Sequence, residues 1–348
     1  MKRCKPTLLM TSVGGTMAPA SILELRRRFK PELRIVGTSG TPAPVAEKLV
    51  DVFARVPMGT SDDYITKLLG VVEAEDVDVV LPWSDEEAVK VAATFEKFWA
   101  CGAVPIVSSN ECLQLISNKR ATYEKLRESG ISVPEYCVVD SPEELKKAIA
   151  SYGYPNRTVV VKAPAGRGGR NLHVLCGQDD PPEWLGSGSR EKRHEPGASF
   201  EMHELMEGEA MVMPRLFAPV YDVDVYAVNG DVRASSIRVR TNPTGIPFEG
   251  NMLVENPQIR EFCKTVARIL NLNSLHDMDI MSDPAGEPRL LEVNPRPSGS
   301  LVASLVAGIP LLQMAISDAL GISHDYSAED RQCEVLVYLN AVAVNNAQ

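Results

Sequence analysis

The stretch from Asp277 to Arg296 constrains this chain more than any other. Asp277-Met278-Asp279-Ile280-Met281-Ser282 and Arg289-Leu290-Leu291-Glu292-Val293-Asn294 are alternating segments, and Asp283, Pro284 and Gly286 between them are turn formers. They predict a β-hairpin. If Ser282 faces Arg289 across the turn, antiparallel register sets Asp279 opposite Glu292 and Asp277 opposite Asn294. Two carboxylates about 5 Å apart on one sheet face repel each other and weaken the pair. A hard divalent cation removes that repulsion. Two carboxylates and an amide oxygen suit Mg²⁺, which fills its remaining positions with water and substrate phosphates. The expected metal ligands are therefore Asp279, Glu292 and Asn294, with Mn²⁺ as an alternative ion. A surface hairpin with solvated acids is the competing reading.

A chain of 348 residues exceeds the size at which single cores stop growing, so two or three lobes are expected. The formal net charge of −10 disfavours nucleic acid and anionic membrane as partners, since both require a basic footprint. No apolar run reaches the roughly 18 residues of a membrane span. Seven scattered cysteines without a Cys-x-x-Cys pair imply neither a disulfide framework nor a zinc site, which fits a reducing cytoplasm.

Residues 1–117 alternate strand and helix. Thr7 to Val13, Leu33 to Thr38, Val77 to Leu81 and Val104 to Val107 read as strands, and Met17 to Phe29 as a helix. A second helix should start with a capping box from Ser84 to Glu87 and run to about Trp99. Strands spaced by crossover helices imply a parallel, helix-covered sheet. Gly14-Gly15 lacks the third glycine of a dinucleotide fingerprint, so a nicotinamide or flavin site is not expected.

From Asn118 a second lobe begins, expected over 118–210, and a third over 211–348. Ser141-Pro142-Glu143-Glu144 is a helix start. Thr158 to Lys162 is a β-prone run that enters Ala163-Pro164-Ala165-Gly166-Arg167-Gly168-Gly169-Arg170. Glycines let backbone N–H groups approach an anion, and the positive charges favour phosphate, so this loop reads as a phosphate lid or else as flexible surface. Residues 178 to 199, with Trp184, read as a mobile insertion. Asn229-Gly230 predicts a hairpin turn between two long strands. Asp222 with Asp224, and Arg238 with Arg240, share faces by period-two alternation, and exposed edge decoration is the plain reading of both pairs.

Taken in order, these elements resemble the ATP-grasp superfamily, most closely its carbamoyl-phosphate-synthase-like ligases. The run Leu290-Leu291-Glu292-Val293-Asn294-Pro295-Arg296 is similar to the metal-binding signature of that group, and Asn118-Lys119 and Thr158 to Lys162 to its phosphate-contacting segments. The resemblance implies an α/β protein with α+β lobes: an ATP-grasp fold behind an N-terminal, Rossmann-like parallel α/β domain. It implies ATP and Mg²⁺ as cofactors. Lys119 and Lys162 would contact ATP phosphates, with Gly166, Gly168 and Gly169 in the lid and Arg215 and Asp222 also on the nucleotide. Arg296 and Lys162 would be catalytic. Ala218-Pro219-Val220 departs from the glycine and glutamate that relatives carry before the equivalent strand.

The activity so implied is an ATP-dependent carboxylate-amine ligase working through an acyl phosphate, with Arg238, Arg240 and Arg296 candidates for holding the acid. A carbamoyl- or carboxyphosphate-forming enzyme and a non-catalytic ATP-binding regulatory protein are the alternatives. The partners expected are a small carboxylate and an amine, with a homodimer possible. Gly14-Gly15-Thr16, Trp83-Ser84-Asp85 and Asn242 to Asn251 are the segments expected to set specificity.

Overall fold

The computed structural model describes residues 5–165, 172–179, 192–240, 251–328 and 331–336. Its first sheet contains β1 (Thr7–Met10), β2 (Arg34–Ser39), β3 (Val52–Arg55), β4 (Val79–Leu81) and β5 (Val104–Pro105), all parallel, in the order β3-β2-β1-β4-β5. β1 is buried throughout because helices cover both faces. On one side α1 (Ala18–Arg28) packs Ile22 and Leu25 against Leu8 and Met10. On the other, α2 (Tyr64–Ala74), α3 (Asp85–Ala93) and α4 (Phe95–Ala100) bury Leu68, Val91 and Phe98 around Leu9 and Val80.

The capping box expected at Ser84 does not form. Ser84 makes no side-chain cap; its hydroxyl donates to Glu87 Oε2 at 2.8 Å, and Thr11 Oγ1 donates to the same oxygen at 2.6 Å. Glu87, 3% exposed, is thus turned toward the end of β1 rather than back along its own helix. The helix also stops short of Trp99. Thr94 bonds back to the Lys90 carbonyl at 2.8 Å and divides it into α3 and α4.

Two helices lead out of this domain, α5 (Asn110–Ile116) and α6 (Lys119–Glu128), the latter capped by Asn118, whose Oδ1 accepts from Ala121 N at 3.0 Å. A second sheet follows, made of β6 (Cys137–Val139), β7 (Val159–Lys162), β8 (Leu172–Leu175), β9 (Lys192–His194) and β10 (Ala210–Pro214), in the order β6-β10-β7-β8-β9. Helix α7 (Pro142–Ser151), capped by Ser141 as its sequence predicts, lays Leu145 and Ile149 on Val159, Val161 and Val212. Alternation sends Lys162 to the opposite, open face. β10 belongs to this sheet, so the changeover to the third lobe falls after Pro214 instead of at 210. Within the segment read as a mobile insertion, Lys192–His194 is a strand parallel to β8.

The third sheet has the order β15-β14-β11-β12-β13-β16. Its strands are β11 (Phe217–Val228), β12 (Asp231–Arg240), β13 (Asn251–Leu253), β14 (Ser274–Ser282), β15 (Pro288–Asn294) and β16 (Cys333–Val335). Asn229 and Gly230 turn between β11 and β12 with φ of 51 and 82°, as a two-residue hairpin with matched twist requires. One face packs Val223, Ile237, Met278 and Val293 against α8 (Pro257–Ile269), continuous with the core of the first domain through Leu113 and Leu126. The last helices, α9 (Leu301–Val306) and α10 (Leu311–Ala319), join the core beneath α1. Among the described residues no helix is long and apolar enough to cross a membrane.

Candidate active site

The acidic hairpin forms, by a route the sequence does not display. Asp283 Oδ1 accepts from Ala285 N and Glu287 N, both at 2.9 Å, and Gly286 adopts φ 84°, which closes a tighter turn. Ser282 therefore faces Pro288 and not Arg289. Left uncorrected, that one-residue slip would set Glu292 opposite Met278 on the core face. A bulge after the Ile280–Leu290 pair takes up Leu291 and restores the pairs Asp279–Glu292 and Asp277–Asn294. The tight turn and the bulge cancel.

The neighbouring strand extends this acidic row. Asp222 pairs with Asp279 and Asp224 with Asp277, while Asp222 faces Arg238 on its other side. The reading of these residues as exposed edge decoration is corrected: Asp222 and Asp224 are each 1% exposed and Arg238 is 0% exposed. Arg238 lies 3.5 Å from Asp222 Oδ2 and 3.0 Å from Asp224 Oδ2, and its Nη2 donates to Ser298 Oγ at 2.9 Å. Ser300 Oγ and Asn251 Oδ1 also accept from it. A guanidinium so enclosed holds the strands and the loop after β15 together. It is not presented to a substrate carboxylate, the role first expected of it.

Two lysines approach the row from the other lobe. Lys119, the first residue of α6, places Nζ 3.0 Å from Glu292 Oε2. Lys162, at the end of β7, is buried and donates to the Tyr123 hydroxyl at 3.3 Å, its Nζ 5.5 Å from that ring's centroid. Burial, aided by Lys119, lowers its pKa to about 7, against the opposing pull of Glu292 and Asp279. For Glu292, burial favours the neutral acid, but Lys119, Lys162 and Arg296 outweigh it and hold the carboxyl below its usual range. Asp277 goes the other way. Burial first, and then the neighbouring Asp222 and Asp279, raise it well above the ordinary value.

Arg296 joins the first domain to this row. Its Nε lies 2.8 Å from Asp85 Oδ1 at the start of α3, and its Nη1 lies 3.6 Å from Asp277 Oδ2. The structure thus brings Lys119, Lys162, Asp279, Glu292, Asn294 and Arg296 to one face. Asn294 spends its amide N–H on Asp277 Oδ2 at 3.1 Å, and its backbone carbonyl accepts from His276 Nδ1 at 3.0 Å.

Sequence reasoning missed Tyr123, Asp277 and His276 as parts of the site, and placed Asp85 only within a segment expected to set specificity. Only Asp277 had a usable signal, since it shares the face of Asp279 by alternation. Arg215 follows β10 with its backbone N–H on the Thr158 carbonyl at 3.3 Å, just past the end of the paired strands β10 and β7. Gly166, Gly168, Gly169, Trp184 and most of 242–251 lie outside the described residues, as does the side chain of Arg240.

The donor chemistry fits a hard cation. The tightest oxygen cluster is made by Asp279 with Asp277 and Asp222, within 4.8 Å of one another, while Glu292 stands with Lys119. No N–H or O–H group donates to the buried Asp277 Oδ1, which a bound ion would satisfy.

Residues 207–341 match the family model described as "ATP-grasp in the biosynthetic pathway with Ter operon". The chain is 21% identical over 262 residues to the carbamoyl phosphate synthase large chain of Methanothrix thermoacetophila, covering 71% of this chain and 23% of that longer one. It therefore spans under a quarter of the curated relative it matches. Among solved structures, N5-carboxyaminoimidazole synthetase from Staphylococcus aureus complexed with ADP superposes with a TM-score of 0.67 at 15% identity, covering 94% of this chain and 81% of that one. The biotin carboxylase–β-γ-ATP complex from Campylobacter jejuni gives 0.65 at 18% identity, covering 91% and 71%. At such identities the likeness to solved structures is one of fold. The match of residues 207–341 to an ATP-grasp family model, the sequence likeness to a carbamoyl phosphate synthase and the likeness of fold to these solved structures all point the same way: the chain is similar to the ATP-grasp superfamily.

Proposed function

We propose that the protein is an ATP- and Mg²⁺-dependent ligase that joins a small carboxylate to an amine through an acyl phosphate, releasing ADP and phosphate. The observation that carries this reading is the meeting of Lys119 and Lys162 with Asp279 and Glu292, cations from one lobe against carboxylates from another. A triphosphate needs both: cations for its own charge and carboxylates for the metal it brings. The two solved relatives are complexes with β-γ-ATP and with ADP, which supports a nucleotide as ligand.

A carboxylate resists attack because it is negatively charged and oxide is a poor leaving group. Transfer of the γ-phosphoryl group removes both obstacles, and an amine then displaces phosphate. Mg²⁺, held by Asp279, Glu292 and Asn294, would neutralise charge on the transferring phosphoryl group. Lys162 and Lys119 would bind the phosphate oxygens, and the charge they carry there would stabilise the transition state. Arg296, already set on carboxylate oxygen by Asp85, would orient the acid through its guanidinium fork. Measuring ADP release over a panel of acid and amine pairs tests the reading; turnover should require both and disappear in Glu292→Ala. Release with bicarbonate alone would select the carboxyphosphate reading instead, and ATP binding without turnover across the panel would favour a regulatory protein.

A further inference from the structure

Asp222 stands one strand outside the hairpin, beside Asp279, and Asp277 stands beside Asp224. One oxygen from each of Asp222, Asp277 and Asp279 lies within 4.8 Å of the other two. Oxygens bound to a common ion at about 2.1–2.4 Å are no more than about 4.2–4.8 Å apart, so the three can surround one divalent cation. The backbone enforces this arrangement, because the register of β11, β14 and β15 fixes the face on which each acid stands.

A second observation points into the same space. Asp277 is 5% exposed, and its Oδ2 is engaged by Asn294 Nδ2 at 3.1 Å and approached by Arg296 at 3.6 Å. No N–H or O–H group donates to its Oδ1 although it is buried, and the carboxyl of Asp222 stands within hydrogen-bonding reach of Asp277, so the pair must hold either a shared proton or a cation between them. Charge agrees. Arg238 lies against Asp222 and Asp224, and Arg296 is divided between Asp277 and Asp85, so the guanidinium nearest Asp277 is already drawn toward another carboxylate. Lys119 is engaged with Glu292 on the far side of the row.

We propose that Asp222, Asp277 and Asp279 form a second divalent-cation site that fills in the absence of nucleotide and has Asp279 in common with the ion that Glu292 and Asn294 would share with ATP phosphates. Three protein carboxylates suffice to hold an ion without help from a substrate, whereas a site that relies on phosphate oxygens is empty until the nucleotide arrives. A resident ion there would fix the acidic row before ATP binds and leave Glu292 free for the nucleotide-bound ion.

The test uses the full chain, stripped with EDTA, dialysed and titrated with MnCl₂ without nucleotide while the signal of free Mn²⁺ is followed by electron paramagnetic resonance. Wild type should bind one Mn²⁺. Asp222→Asn and Asp277→Asn should each weaken that binding by about tenfold or more, with circular dichroism unchanged, while Glu292→Gln leaves it within about threefold. Absence of nucleotide-free binding in wild type overturns the proposal, as does equal loss in Glu292→Gln and Asp222→Asn. Should Asp222→Asn not fold, the wild-type titration and Asp277→Asn decide the matter. The readout is cation binding alone, so it is independent of whether ligase turnover is found.

Discussion

Lys162 is coupled through Tyr123 to the third sheet: the lysine Nζ donates to the tyrosine hydroxyl at 3.3 Å, and that hydroxyl donates to the Leu291 carbonyl at 2.7 Å. Leu291 is the residue taken up by the bulge in β15. One hydrogen-bonded chain therefore links the phosphate-side lysine to the irregularity that sets the register of Glu292. Tyr123→Phe keeps the ring under Lys162 but leaves the half-buried Leu291 carbonyl without its donor. We expect a loss of about 1–3 kcal/mol in denaturant unfolding. Unchanged stability would show that the bulge holds itself.

The depressed pKa of Lys162 has a pH signature. Between about pH 7 and the ordinary value of 10.5 the folded protein binds fewer protons here than the unfolded chain. Its contribution to stability therefore rises with pH across that window. Binding a triphosphate favours the ammonium form, so above pH 7 nucleotide should bind with proton uptake, and affinity should fall by up to about one log unit per pH unit. Calorimetry in buffers of different ionisation enthalpy reads the uptake directly. It should vanish in Lys162→Met.

Arg238→Met separates a structural role from a substrate role. Removing the guanidinium strands Asp222 and Asp224, both buried, without their counter-ion. Breaking such a pair costs about 3–5 kcal/mol, so chemical denaturation should show a large loss. Wild-type stability combined with a raised KM for the acid would return Arg238 to substrate binding.

Arg296→Ala should leave nucleotide affinity within about threefold while acid-dependent ADP release falls by about 100-fold or more, because the side chain acts on the acceptor rather than on ATP. Asp85→Asn tests the hold on that arginine. It should raise KM for the acid with little change in KM for ATP. Equal shifts in both would place Asp85 outside the positioning of Arg296.

Glu292→Gln, which removes a charge and keeps the shape, should lower ADP release by about 100-fold or more. Its partner Lys119 loses its carboxylate in the same step, so nucleotide affinity without added metal should change less than affinity with it. Titrating a fluorescent ATP analogue with and without Mg²⁺ gives both numbers.

Alternation and turn chemistry in the sequence by themselves determined the hairpin from Asp277 to Asn294, the parallel first sheet and the Asn229-Gly230 turn, while Lys119 and Lys162 were singled out through the family resemblance. The former are local signals, written in a period of two and in glycine and asparagine. What only the tertiary structure decided lies across strands and lobes. Asp222, Asp224 and Arg238 look like surface decoration in their own strands, and become a buried network because β14 pairs on one side of β11 and the loop after β15 closes over the other. The contacts that tie Asp85 to Arg296 and Tyr123 to the Leu291 carbonyl each join residues more than a hundred positions apart, which no local pattern reveals. Side-chain period reveals a face, but the strand that will share that face, and the charge that will neutralise it, are set by long-range packing.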